Sequence, residues 1–151
     1  MEITIYTEEL VNKIRSTSHR EVEGIEDVDV RYRAEAGSEK LEEIYGCLSS
    51  ALSRLRGRCS RWLMPDYKKA GDNVMPLPSS CVFSFMLSER RAINKTEPLT
   101  AVMETFLIEY ALSRFYSNVS MSELSNKHSM LALDAGNEID ALLFTKQPPR
   151  V

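Results

Sequence analysis

The sequence predicts an all-α protein, a single-domain bundle of about four main helices with room for a short β element. Apolar residues recur at helical spacing over residues 41–63, 99–115 and 124–143, and each such stripe must be buried against another. The length of 151 residues suits one domain, which we place at 1–151. A composition of 43% hydrophobic and 27% charged residues is typical of a globular protein with a packed core.

The first helix is expected to begin at Thr7 and to end before Gly24. Thr7 can cap it, and acidic residues in the first turn complement the helix dipole. The next segment, residues 25–36, supports two interpretations. Alternation of apolar and charged residues fits a short strand, whereas opposite charges four residues apart fit a helix, which is the interpretation we prefer.

A long helix follows, with Gly37 and Ser38 as its break and N-cap. We expect it to end at Met64, because Pro65 disfavours helical geometry in the residue before it. Its apolar stripe comprises Leu41, Ile44, Tyr45, Leu48, Ala51, Leu52, Leu55, Cys59, Trp62 and Leu63.

A long connection over residues 65–80 divides the chain into two helical halves. A loop of this length is uncommon inside a compact domain unless it is functional or mobile. Residues 81–88 come next and fit either a strand, because Phe83, Phe85 and Leu87 alternate with other residues, or a helix. We prefer the helix.

Two further helices are predicted in the second half. Thr96 as cap and Pro98 in the first turn open the third long helix. Ser120 with Glu123 three residues later matches a capping box and opens the fourth, whose inward face includes His128. Consecutive prolines near the C-terminus end that helix.

Charge is unevenly distributed along the chain. The net charge is -3, but residues 1–43 hold twelve acidic and six basic residues, whereas residues 54–69 hold six basic residues and one acidic residue. A globally basic nucleic-acid binder is therefore excluded. A local anion site, or a head-to-tail contact between acidic and basic faces, remains open.

The basic residues cluster on one helix edge. Arg54, Arg58 and Arg61 follow i, i+4, i+7 spacing, and Lys68 and Lys69 lie close in sequence. These five residues form the predicted interaction surface. They could stabilise their own helix end and pair with acids of a neighbour, contact other copies of the chain, or lie along a phosphate backbone. Nucleic acid is not favoured, because few aromatic residues interleave with these cations.

No motif for catalysis, a cofactor or a metal ion stands out, so we predict a protein that is not an enzyme and uses no cofactor. The three cysteines lack C-x-x-C spacing, which argues against a disulfide framework or a structural zinc site. Cys47 and Cys59 fall on or beside the apolar stripe of the long helix and should behave as small buried hydrophobes.

His128 is the one histidine predicted on an inner helix face. It could act as a base if Asp134, Glu104 or Tyr110 lay nearby. The interpretation we prefer is a packed histidine with satisfied hydrogen bonds, because no partner motif accompanies it.

The first residues have no basic segment followed by an apolar one, so a signal peptide is not expected. Even the apolar run 102–112 is broken by Glu104 and Glu109 and is too short to span a membrane. These features predict a soluble, cytoplasmic protein that does not contact membranes.

A resemblance rests on the order of short motifs in the second half. The motifs are Ser88-Glu89-Arg90-Arg91-Ala92, Asn94-Lys95, Pro98-Leu99, Leu124-Ser125-Asn126-Lys127-His128 and Lys146-Gln147-Pro148-Pro149. Over residues 40–149, this order resembles that of small uncharacterised proteins encoded among the structural genes of bacterial prophages. By analogy, the resemblance implies virion assembly, as in the small helical ring-forming proteins of a head-to-tail connector or neck.

The leading hypothesis is thus a non-enzymatic structural or assembly protein, virion-associated if the resemblance holds, whose partners are itself or other structural proteins. Its oligomeric contact would use complementary charge and exposed apolar residues. The alternative is a nucleic-acid-associated regulatory module that uses Arg54, Arg58 and Arg61.

Overall fold

The computed structural model describes residues 1–64, 77–87 and 94–144. It is mostly helical with a small two-stranded antiparallel sheet, which confirms the predicted fold class. No helix in these ranges is both long and apolar enough to cross a membrane. The elements are β1 (Glu2–Tyr6), α1 (Thr7–Val22), α2 (Val28–Ala34), a 3₁₀ turn (Ser38–Lys40), α3 (Leu41–Cys59), β2 (Ser80–Ser84), α4 (Thr96–Asn118) and α5 (Ser122–Leu143).

The first helix begins at Thr7 as predicted, but Thr7 does not cap it. The Thr7 hydroxyl lies 2.9 Å from the carbonyl oxygen of Pro78 and 3.2 Å from that of Ser79, to which it can donate. The side chain thereby fixes the start of α1 to the residues that lead into β2. The helix ends at Val22, before Gly24.

Residues 25–36 contain the helix that we preferred, although it is short. The Asp27 carboxylate caps α2 by accepting hydrogen bonds from the backbone N–H groups of Asp29 and Val30. Ser18 of α1 accepts a hydrogen bond from the Ala36 backbone at 2.9 Å. The Asp27 contacts are local to α2, whereas Ser18 ties the residues at the end of α2 to the first helix.

The long helix differs from the prediction at both ends. The 3₁₀ turn precedes α3, so Ser38 does not cap it, and α3 ends at Cys59 instead of Met64. The chain leaves the helix because Leu63 pairs with Phe85 in an isolated antiparallel bridge. The Met64 backbone N–H also donates to the carbonyl oxygen of Ser84 at 2.9 Å. Tertiary pairing thus ends the helix before Pro65 can.

The helix preferred for residues 81–88 was wrong. Ser80–Ser84 forms β2, which pairs with β1 so that Ile3 faces Phe83 and Ile5 faces Cys81. These four side chains are buried at the period of two that a strand requires. Of the predicted loop at 65–80, residues 65–76 lie outside the described residues.

The helices α4 and α5 pack as an antiparallel pair, as the contact of Ser113 with Ser129 and that of Lys95 with Leu142 show. The predicted capping box does not form, because Ser120 adopts a left-handed φ of 61° and α5 starts two residues later. Thr96 likewise makes no capping hydrogen bond. Helix α4 is central, in contact with α1, α3, α5 and β1.

Candidate interaction face and a buried histidine cluster

Arg58 joins α3 to α5. Its Nε donates to the carbonyl oxygen of Gly136 at 3.0 Å, and its Nη2 donates to Oδ2 of Asp140 at 3.0 Å and to Oδ1 of Asn137 at 3.2 Å. Nε also lies 3.3 Å from Oδ1 of Asp140, so the guanidinium engages both carboxylate oxygens. Arg58 therefore has a structural role at the centre of the predicted surface.

Gly136 makes this arrangement feasible. A Cβ atom at that position would lie 2.6 Å from Cζ of Arg58, well inside van der Waals contact. The absence of a side chain lets the guanidinium lie directly on the backbone of α5. No local sequence signal identified this glycine, because its partner lies on another helix.

Arg54 and Arg61, the other two arginines on this edge of α3 and its continuation, are exposed. They border two depressions on either side of Arg58. Arg54 lines a depression of about 190 Å³ together with Leu133. Arg61 lines a larger one of about 640 Å³ with Trp62 and Phe144. Arg58 contributes to both depressions, so they follow one another along α5.

Large apolar side chains are exposed beside these arginines. Leu133 and Phe144 are each 58% exposed, and Cζ of Arg61 lies 5.9 Å from the Trp62 ring centre. Arginine and aromatic residues are enriched at protein interfaces. We call this surface the basic-apolar face: Arg54, Arg61, Trp62, Leu133 and Phe144, arranged around the Arg58–Asp140 ion pair.

Other cations near the predicted surface do not belong to this face. Arg56 is buried, with Cζ 4.2 Å from the centre of the Phe83 ring, and its Nη2 donates to the carbonyl oxygen of Val82 at 3.3 Å. It packs α3 onto the sheet. Lys68 and Lys69 lie outside the described residues.

A second polar cluster surrounds His128, whose side chain is 2% exposed. The His128 Nε2 lies 2.7 Å and 2.9 Å from the two carboxylate oxygens of Glu21, and Nδ1 contacts Oε2 of Glu109. The ring stacks on Tyr116, whose hydroxyl donates to Glu21 at 3.3 Å. Lys127 also pairs with Glu21, at 3.0 Å. The cluster links α1, α4 and α5.

The cluster favours the charged form of His128. Burial alone lowers the pKa of His128, but the hydrogen bonds and charges of Glu109 and Glu21 outweigh it, so the pKa is raised from 6.5. Burial raises the pKa of Tyr116, which stays a neutral donor. An imidazolium donates from both nitrogens and so satisfies both carboxylates.

None of the partners considered from the sequence lies against His128. Glu104 pairs with Lys13 at 3.4 Å, Tyr110 stacks on Phe106, and Asp134 is exposed on α5. Glu21 and Glu109 take their place. No local signal singled out Glu109, because Glu104 interrupts the same apolar run and pairs with Lys13 instead.

A pocket of about 330 Å³ adjoins the cluster, but both ring nitrogens of His128 already face carboxylates. Within residues 1–64, 77–87 and 94–144, no group of three or more His, Cys, Asp or Glu side chains is arranged to hold a metal ion. Cys47 and Cys59 are buried, as predicted, and burial raises their thiol pKa values to about 11 and about 12.

Comparison of the chain with protein-family models, curated proteins and solved structures finds no match. A functional assignment therefore has to come from the geometry described above. Of the two sites, the basic-apolar face is open to a macromolecule, whereas the side chains of the histidine cluster are mainly engaged with one another.

Proposed function

We propose that the protein is a non-enzymatic assembly protein whose basic-apolar face binds a second copy of the chain. The observation that carries the proposal is the position of exposed Arg54 and Arg61 beside exposed Leu133 and Phe144. Apolar contact supplies most of the affinity at protein interfaces, and flanking charges orient the partner. The Arg58–Asp140 pair lies within the face with its charges already compensated.

Charge favours a head-to-tail contact. A basic-apolar face that met its own copy would bring arginines together, and like charges in contact cost binding energy. The N-terminal 43 residues offer the opposite charge. A contact between two different surfaces of the same chain leads to a ring or a filament. Exposed acidic side chains in this part of the chain include Glu8, Glu9, Glu26, Asp29, Glu39, Glu42 and Glu43.

The more specific role that we propose is a ring-forming component of a prophage particle, such as a head-to-tail connector or neck. The resemblance of residues 40–149 to proteins of prophage structural genes supports this role, as does the head-to-tail logic of the charges. The protein would then act in the cytoplasm, where particles assemble, and become part of the virion.

A nucleic-acid partner would use the same arginines. It is less well supported, because Arg58 is committed to Asp140 and the described part of the edge then offers only Arg54 and Arg61. Non-specific binding of a phosphate backbone depends on many such cations. An apolar residue such as Leu133 suits a protein partner better.

The proposal is tested by reversing single charges. Arg54→Glu and Arg61→Glu should each weaken self-association by roughly tenfold or more, because a like charge then faces the acidic partner surface. Arg114→Glu is the matched control, since it makes the same charge change at an exposed position of α4, outside the basic-apolar face and the N-terminal 43 residues. Molar mass from light scattering across a dilution series gives the affinity, and circular dichroism checks the helix content.

Unchanged association in both reversed variants would contradict the proposal, as would a loss of equal size in Arg114→Glu. Arg58→Glu is unsuitable as a probe, because it would break the link between α3 and α5.

A further inference from the structure

We infer that the basic-apolar face binds an exposed ridge on α2 of a second copy. The inference rests on the proposed function and adds the identity of the partner surface. The ridge comprises Glu26, Val28, Asp29 and Tyr32, and we call it the α2 ridge. Val28 is 63% and Tyr32 61% exposed, among the most exposed large apolar side chains of the described residues.

Val28 and Tyr32 project from the same side of α2, because residues four apart are neighbours on a helix. Glu26 and Asp29 are exposed next to them. The N-terminal end of α2 thus presents an apolar group beside carboxylates, whereas the cations Arg33 and Lys40 lie toward its C-terminal end. The acidic end of the α2 ridge is opposite in charge to the basic-apolar face.

The α2 ridge is held in place by contacts on its other side. Ala34 is fully buried, and the Ser18 hydroxyl of α1 lies 3.3 Å from its carbonyl oxygen. Lys40 Nζ lies 5.2 Å from the centre of the Tyr32 ring, which favours one orientation of that ring. A pre-ordered surface loses less entropy on binding, so this short helix suits a docking role.

The larger depression of the basic-apolar face offers what the α2 ridge needs. Its volume of about 640 Å³ is bordered by Trp62 and Phe144, which provide an apolar seat for an aromatic ring, and by Arg61 for a carboxylate. Tyr32 of the second copy would pack against Trp62 and Phe144, and Asp29 would approach Arg61. Every copy carries one α2 ridge and one basic-apolar face, so the contact propagates from copy to copy.

Two variants, each defective in one surface, test the inference. The ridge variant Val28→Ser/Tyr32→Ser and the face variant Arg61→Glu/Phe144→Ser should each be monomers of 17.2 kDa by light scattering. Mixed in equal amounts, they should form a heterodimer of twice that mass, because one intact ridge and one intact face remain and the chain of contacts stops there. All four positions are exposed, so folding should be retained.

Tyr6→Ser is the matched control, since Tyr6 is 54% exposed on β1, outside both surfaces, and this variant should assemble like the wild type. A ridge variant that assembles like the wild type, or a mixture that stays monomeric, overturns the inference and leaves the proposed function standing. A wild-type chain that is monomeric throughout overturns both. So does a face variant that assembles normally.

Discussion

Replacing the buried imidazolium by a neutral side chain of similar size tests the histidine cluster most directly. In His128→Gln, Glu21 and Glu109 keep their positions but lose the charge between them. Removing one partner of a buried ion pair costs about 3–5 kcal/mol of stability. The two carboxylates are 12% and 18% exposed, and this partial solvation favours the lower end, about 3 kcal/mol.

The stability difference between wild type and His128→Gln should depend on pH. The pKa of His128 is raised in the folded protein, so the contribution of the bound proton is complete below the unfolded pKa near 6.5. It is lost as pH rises through the folded pKa. The difference should therefore shrink above pH 6.5, at a slope of at most about 1.4 kcal/mol per pH unit. Tyr116 stays neutral through this range, because burial raises its pKa.

Urea unfolding followed by circular dichroism, from about pH 5.5 to about pH 9.5, measures the difference. The Arg61→Glu background keeps assembly from adding to the measured stability. A further change of Glu21 and Glu109 to Gln should recover part of the loss, since no buried carboxylate then lacks a partner. A difference that is constant with pH, or that widens as pH rises, would refute a buried imidazolium.

Other predictions concern the helix junction and the thiols. In an Arg58→Ala background, Gly136→Ala should raise the free energy of unfolding by about 1 kcal/mol through helix propensity. The same change should raise it less in the wild type, where the new Cβ displaces the guanidinium. Equal effects in the two backgrounds would rule out the contact. Arg58→Ala alone should cost about 1 kcal/mol in urea unfolding, because Asp140 is 44% exposed; a cost near zero would make the link between helices dispensable. Cys47, Cys59 and Cys81 are buried, so native protein should react with a thiol reagent far more slowly than unfolded protein; rapid labelling of the native state would contradict their burial.

The long helices could be anticipated because their apolar periodicity is local. Leu99 and Phe115 lie on the buried stripe of α4 as expected, and residues 25–36 contain the helix that opposite charges indicated. The strand β2 could not be chosen over a helix in this way, since its partner β1 lies more than seventy residues earlier. The end of α3 also depends on a partner beyond the range of local periodicity, because Leu63 pairs with Phe85.

In the candidate sites, too, local spacing predicted which residues share a helix edge but not which residues from distant helices meet. The spacing of Arg54 and Arg61 placed them on one helix edge, and both are exposed there. The engagement of Arg58 depends on Gly136 and Asp140, which come from a helix far along the chain. Nothing local shows that these residues meet, because packing of the helices brings them together.

Self-association through complementary charge is the central claim, and molar mass in solution at two salt concentrations tests it. At about 50 mM salt, light scattering should give a defined multiple of 17.2 kDa, and at about 500 mM the mass should fall, because salt screens the contact between arginines and carboxylates. A mass of 17.2 kDa at both concentrations would contradict the claim.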